Sequence, residues 1–171
     1  MTKTAKMQTD DEDVDVTSLI ELLFFAYRDF VSDPDVILQE YGFGRAHHRV
    51  VHFVARNPGI SVAELLGILQ ITKQSLARVL KQLVETGFIL QEQGSQDRRQ
   101  RLLFTTDKGT QLFNQLREPQ SRRIRRALEQ LDARDRDGAE RFLSFLVNED
   151  EPSLAQRVSS FTNPKVGDAK Q

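Results

Sequence analysis

The sequence predicts a mainly α-helical fold carrying one small β-wing, on three observations. Apolar residues recur at helical spacing through most of the chain. Two short helical stretches flank a tight turn, and the outer face of the second is polar and basic. Directly after them, the strand-like runs FILQEQ and RLLFTT enclose residues 94–101, GSQDRRQR, a segment with almost no apolar content. Such a segment cannot enter a core. It reads as the tip of a hairpin that projects three arginines into solvent.

Residues 1–15 lack apolar periodicity and read as a disordered acidic arm, with the acids gathered in DDEDVD. VTSLIELLFFAYRDFV is apolar around much of its girth, with Leu19, Leu22, Leu23, Ala26 and Phe30 at helical spacing and Phe24, Phe25 and Tyr27 beside them. A helix of that kind needs more than one neighbour to cover it. Ser32-Asp33-Pro34 is expected to break it, and a second helix, RAHHRVVHFVARN, follows YGFG and stops at Asn57-Pro58-Gly59. Ser61 and Glu64 have capping-box spacing at the head of ISVAELLGILQ, which turns Leu65, Leu66 and Leu69 inward. Gln70-Ile71 is a tight turn, and Thr72 caps TKQSLARVLKQLVETG, whose Leu76, Val79, Leu80, Leu83 and Val84 form the apolar face. Gly87 ends that helix. This is a helix-turn-helix that runs into a wing. Thr106-Asp107-Lys108-Gly109 opens a long helix that Pro119 should kink or interrupt; RDGAERFLSFLVNE follows Asp135, and SLAQRVSSF can form a last short helix. The expected layout is an arm at 1–15, N-terminal dimerisation and linking helices at 16–56, a winged helix-turn-helix domain at 57–108, C-terminal dimerisation helices at 109–162 and a flexible tail at 163–171.

A chain of 171 residues makes one domain, or one domain with an appendage, and needs no covalent staples. It contains no cysteine, so disulfides, thiolate metal sites and thiol redox switches are excluded. No apolar run approaches the roughly 18 residues of a membrane span, and no signal-peptide core is visible; the reading is a soluble, cytoplasmic protein without membrane contact. The formal net charge of −1 conceals an uneven distribution. Bases dominate from Ile71 to Arg101 and again in SRRIRRA at 121–127, and screening over about 8–10 Å makes local charge matter more than the total. SRRIRRA can pair with the acidic arm, line a DNA-facing side or form a solvated helix face. No nucleophile–base signature, phosphate loop or dinucleotide fingerprint is present, so neither an enzyme nor a cofactor is expected.

The strings ISVAELLGILQITKQSLARVLKQLVETGFI, then DRR at 97–99 and LLFTTDKG, carry a resemblance. From about Val16 to Val147 the chain resembles the MarR family of winged helix-turn-helix transcriptional regulators. The resemblance implies a homodimer built from N- and C-terminal helices, with double-stranded DNA as its partner. A helix in the major groove reads base edges while phosphates fix its register. Thr72, Gln74, Ser75 and Arg78 lie in the first two turns of the second helix, where Gln suits adenine and Arg suits guanine; Lys73 and Lys81 suit phosphate. Arg99 resembles the wing-tip arginine that such proteins place in the minor groove. Arg98 and Arg101 would add phosphate contacts, and Asp97 would bond Arg99 or the loop backbone and hold the tip in shape.

His48 and His52 stand four apart on one helix face, a spacing that also suits a two-ligand metal clamp, but no further His or Cys exists to complete one. By the resemblance, Tyr41, Arg45, His48 and His52 line a cleft for a small aromatic or anionic effector. The function expected is a sequence-specific regulator, a repressor on a pseudo-palindromic operator whose affinity an effector lowers. The alternatives are a winged-helix module that binds another protein, and a metal-responsive regulator using His48 and His52.

Overall fold

The computed structural model describes residues 15–94 and 97–147. The expected acidic arm, apart from Asp15, and the expected helix SLAQRVSSF with its tail lie outside those residues. Six helices and three short strands follow one another as α1 (Val16–Glu40), α2 (Arg45–Arg56), β1 (Ile60–Ser61), α3 (Val62–Leu69), α4 (Lys73–Glu85), β2 (Ile89–Gln93), β3 (Arg101–Thr105), α5 (Asp107–Glu129) and α6 (Ala133–Leu146). The fold class is mainly α with a small β-wing.

The local signals between residues 57 and 109 form as expected. Ser61 Oγ accepts the Glu64 N–H at 3.2 Å, and the Glu64 carboxylate accepts the Ser61 N–H at 2.9 Å, so two otherwise unpaired donors at the start of α3 are satisfied reciprocally. Gln70 takes a left-handed conformation with φ 50°, which turns the chain sharply into α4. Thr72 caps α4 by accepting the Ser75 N–H at 3.1 Å. At the far end Gly87 has φ +75°, the Phe88 N–H donates to the Leu83 carbonyl at 2.8 Å, and the Gly87 N–H donates to Val84 at 3.0 Å. Those two bonds make the glycine-dependent closure that the sequence predicts at this position.

The wing is a three-stranded antiparallel sheet in the order β1-β3-β2, with β3 central. Ile60 pairs with Leu103, and Gln91 pairs with the same residue from the other side. The two-residue strand β1 is not foreseen from the sequence, because two residues are too few to show alternation. It nevertheless anchors the hairpin to the head of α3. Leu103, fully buried, joins Leu65, Leu76, Leu83 and Ile89 in one core with Leu38, Val50, Val51, Val54, Leu112 and Leu116 of the helical part. Within the pair of short helices two inward assignments change: Ile68 is buried where Leu66 is only half-buried, and Val84 is exposed.

The break predicted at Pro34 is corrected, and of the kink or interruption expected at Pro119 the interruption does not occur. α1 continues through Pro34 to Glu40. A proline here strips the Phe30 carbonyl of its helical N–H partner, and Gln120 of α5 supplies the replacement, donating its side-chain amide to that carbonyl at 3.3 Å. The Pro34 ring itself is fully buried. α5 likewise runs unbroken through Pro119. The carbonyl freed there belongs to Gln115, an exposed residue. α6 begins before the predicted Asp135, at Ala133, because Asp132 provides the cap by accepting the Asp135 N–H at 2.8 Å. No described helix is long and apolar enough to cross a membrane.

Candidate nucleic-acid interface and cleft

α4 presents two faces at once. Leu76, Val79, Leu80 and Leu83 point into the core. On a helix of 3.6 residues per turn, the positions opposite that stripe are Gln74, Arg78 and Lys81, all of them exposed with Lys73. The flank carrying Lys73, Ala77, Val84 and Lys81 faces the wing across an open groove of about 830 Å³, whose other wall includes Gln91, Arg99, Gln100 and Arg101. The fold therefore brings Lys73 and Lys81 of the helix and Arg99 and Arg101 of the wing, which lie 18 to 28 residues apart in sequence, to the rim of one groove. One acid, Glu85, lies on it and pairs weakly with Lys81 at 3.8 Å. Arg98 is exposed at the wing tip. Thr72 and Ser75 are tied to one another: the Thr72 hydroxyl accepts the Ser75 N–H and donates to the Ser75 Oγ at 2.9 Å. Thr72 is thus first a cap.

Of the two partners expected for Asp97, the backbone is the one observed. Its carboxylate accepts the Arg99 N–H at 2.8 Å, its carbonyl accepts the Gln100 N–H at 3.0 Å, and the Gly94 N–H closes the turn onto the Gln100 carbonyl. The Arg99 side chain is thereby left to point outward while its backbone is held.

Between α1, α2 and α5 lies a second cleft, of about 410 Å³, lined by Tyr27, Phe30, Val31, Arg45, His48, Arg49, His52, Phe53 and Gln120. Of the four residues expected at a cleft, Arg45, His48 and His52 line this one. Tyr41 does not. It caps the C-terminal end of α1, and its ring packs edge-on to Phe88 at 5.4 Å while its hydroxyl reaches Gln115 at 3.5 Å. Nearness in sequence to Arg45 is misleading, because Gly42 at φ +66° reverses the chain between them. Missing from the sequence reading were Arg49, Tyr27 and Phe30. Arg49 falls on the same stripe as residues 45, 48 and 52, so the i, i+3, i+4, i+7 pattern could have found it. Arg45 is engaged by Asp35 through two nitrogens, the shorter contact 2.7 Å. His47, on the other side of α2, accepts the Gly44 N–H through Nδ1 and therefore donates from Nε2 to Gln82 of α4 at 2.8 Å.

The cleft histidines are kept neutral by burial. His48 is held below the ordinary histidine range, burial outweighing the pull of Asp35. Burial is also the main cause that lowers His52 to about 4, with the charges of His48, Arg56 and Arg117 adding to it. In the unfolded chain His52 titrates near 6.5. Between those values the folded chain binds fewer protons than the unfolded one, so the stabilising contribution of His52 is complete above pH 6.5 and is lost as the pH falls toward 4. The loss over that window is at most about 3 kcal/mol. We expect His52→Gln to flatten the dependence of the urea midpoint on pH between 6.5 and 4 relative to wild type; superimposable slopes would contradict the burial argument. The rings of His48 and His52 lie 6.5 Å apart, and no group of three or more His, Cys, Asp or Glu able to hold a metal comes together among the described residues.

Residues 41–100, from the end of α1 to the wing tip, match the MarR family. The HTH-type transcriptional regulator PetP of Rhodobacter capsulatus is 48% identical over 108 residues, which cover 63% of this chain and 65% of PetP, just under two thirds of that relative's length. By both comparisons the chain is similar to MarR-family regulators. Solved MarR-family folds superpose on it at low identity. Streptococcus pneumoniae FabT, solved in complex with DNA, matches with a TM-score of 0.67 at 17% identity, over 77% of this chain and 94% of that one. A MarR protein from Peptoclostridium difficile matches with a TM-score of 0.62 at 19% identity, over 94% of this chain and 99% of that one. Those likenesses show the fold, and the side chains described above supply the chemistry.

Proposed function

We propose that this chain is a sequence-specific DNA-binding transcriptional regulator that acts as a homodimer and releases its operator when a small aromatic or anionic effector occupies the cleft. The carrying observation is the groove in which Lys73 and Lys81 of α4 face Arg99 and Arg101 of the wing. A helix with Gln74 and Arg78 at its exposed N-terminal turns can enter a major groove, where a bidentate Gln–adenine or Arg–guanine pair contributes roughly 1–3 kcal/mol of discrimination. The wing then follows the backbone to the adjacent minor groove, where Arg99 finds the negative potential of a narrow A·T-rich segment. Arg98, Arg101, Lys73 and Lys81 neutralise phosphates. Asp97 takes no part in binding but fixes the turn from which Arg99 projects. The solved structures of FabT with DNA and of a mutant S. aureus MepR with an oligodeoxyribonucleotide support the reading by fold. PetP, named as a transcriptional regulator, supports it by sequence. A repressor role follows from coupling effector binding to lost affinity.

Selection of bound sequences from a random duplex pool tests this. Wild type is expected to enrich an inverted repeat with half-sites about 34–36 Å apart. Arg99→Ala should lower affinity for the enriched sequence roughly five- to hundredfold and make its salt dependence shallower by about one phosphate contact. Absence of any enriched sequence, together with salt-independent affinity from a folded dimer, would instead favour a surface for another protein.

A further inference from the structure

Arg49 belongs to two structures at once. It lines the cleft between α1, α2 and α5. It also donates from its guanidinium to the carbonyl of Leu69 at 3.0 Å. Leu69 is the last residue of α3, where helical carbonyls run out of N–H partners. The next residue, Gln70, is the one non-glycine residue with positive φ among the described residues, and it turns the chain into α4. The Arg49 bond therefore fixes the carbonyl immediately ahead of the left-handed turn between α3 and α4.

The charges around the cleft make Arg49 the group an anion would take. Arg45 is already neutralised by Asp35. His48 and His52 are uncharged near neutral pH and offer hydrogen bonds only. Among the described residues no carboxylate lies within ion-pair distance of Arg49, whose observed partner is a neutral carbonyl. A guanidinium–carboxylate pair is bidentate and roughly twice as strong as a bond to a neutral acceptor.

We propose that Arg49 is the positioning residue through which an anion in the cleft acts on α4: a carboxylate draws the guanidinium away from the Leu69 carbonyl and frees the α3–α4 turn. This rests on the reading of the chain as an effector-controlled DNA-binding protein, and it gives that control a sign. The Leu69 carbonyl loses its donor, the left-handed turn at Gln70 loses this tether, and the exposed face of α4 shifts relative to the wing. Linkage requires the reciprocal effect, so DNA that holds the turn in place weakens the anion by the same factor.

Benzoate serves as the probe, with the uncharged isostere benzamide as control, on the full chain. In amide-resolved NMR without DNA, benzoate should shift the side-chain N–H of Arg49 and the backbone amides of Gln70, Ile71 and Thr72, and benzamide should not. On the duplex enriched above, benzoate should weaken wild-type binding roughly tenfold. Arg49→Gln removes the guanidinium and cannot pair with an anion. Its ratio of DNA affinities with and without benzoate should fall to about one, whatever its affinity without benzoate. A purely structural Arg49 would leave that fold-response unchanged. Three results overturn the proposal: no benzoate binding, equal action by benzamide, or benzoate in the cleft with the Gln70–Thr72 amides unmoved. The NMR arm needs no operator, so failure to enrich a DNA sequence overturns the DNA reading separately.

Discussion

Gly109→Ala is expected to cost about 3 kcal/mol or more of folding stability. In an isolated helix the same change would stabilise, since alanine is the better helix former by roughly 1 kcal/mol. The difference lies in where α5 begins. The Thr106 hydroxyl accepts the Gly109 N–H at 3.0 Å and donates to the Gly87 carbonyl at 2.7 Å, and the Thr106 N–H donates to the Phe88 carbonyl at 3.1 Å. These bonds press the first turn of α5 against the chain that leaves α4. A Cβ on residue 109 would stand 2.0 Å from the Phe88 carbonyl oxygen and 3.0 Å from its carbon. Both obstacles are backbone atoms, which cannot rotate away. Relief would require parting α5 from the segment on which Lys108 also rests, its ammonium on the Thr86 carbonyl at 2.9 Å and over the Phe88 ring at 4.3 Å. Gly138 of α6 is the internal control, being exposed, with nothing within 4 Å of the position a Cβ would take. Gly138→Ala should raise stability by roughly 0.5–1 kcal/mol. Urea unfolding of both variants should give opposite signs, and two equal midpoints would refute the packing argument.

Interactions that close within five residues were legible in the sequence. The Ser61–Glu64 box, the Thr72 cap and the Gly87 closure each depend on residues that are neighbours along the chain, and each formed where its spacing placed it. The exposed face of α4 was legible for the same reason. What could not be read were compensations supplied from far away. Pro34 is a helix breaker until Gln120, remote in sequence, offers its amide to the orphaned Phe30 carbonyl. The two-residue strand β1 exists because Leu103 of β3 lies beside it. The candidate cleft was legible only along one element. The family resemblance supplied Arg45, His48 and His52 of α2, whereas Tyr27, Phe30 and Gln120 come from helices whose packing against α2 no local pattern encodes. Tyr41 was misplaced by the reverse error, a neighbour in sequence carried off by a left-handed glycine.

Charging the exposed apolar faces of α1 and α6 is expected to have the largest effect on DNA affinity. α6 buries none of its residues, although Phe142, Leu143, Phe145 and Leu146 give it a continuous apolar edge. The first three turns of α1 are in the same condition, with Phe24 68% and Phe145 of α6 78% exposed. Exposed apolar residues in such number along two helices mark a contact with another chain. A second copy is the partner that the proposed inverted-repeat operator requires. The core of the winged domain lies elsewhere, around Leu65, Leu76, Leu83 and Leu103, so the variant Phe24→Glu/Phe145→Glu should fold. If the chain were monomeric, two substitutions at such exposed sites would change stability by no more than about 0.5 kcal/mol each and leave DNA binding alone. If α1 and α6 join two copies, a glutamate pair repeated by symmetry buries charge without partners and separates them. Each half then binds its half-site alone, and the affinity falls by about 10²–10⁴ because the second contact no longer benefits from the first. Sedimentation equilibrium and DNA titration on the same sample decide the matter. A dimer that persists with unchanged affinity would place the interface on another face, and a monomer that still binds tightly would show that one winged domain suffices.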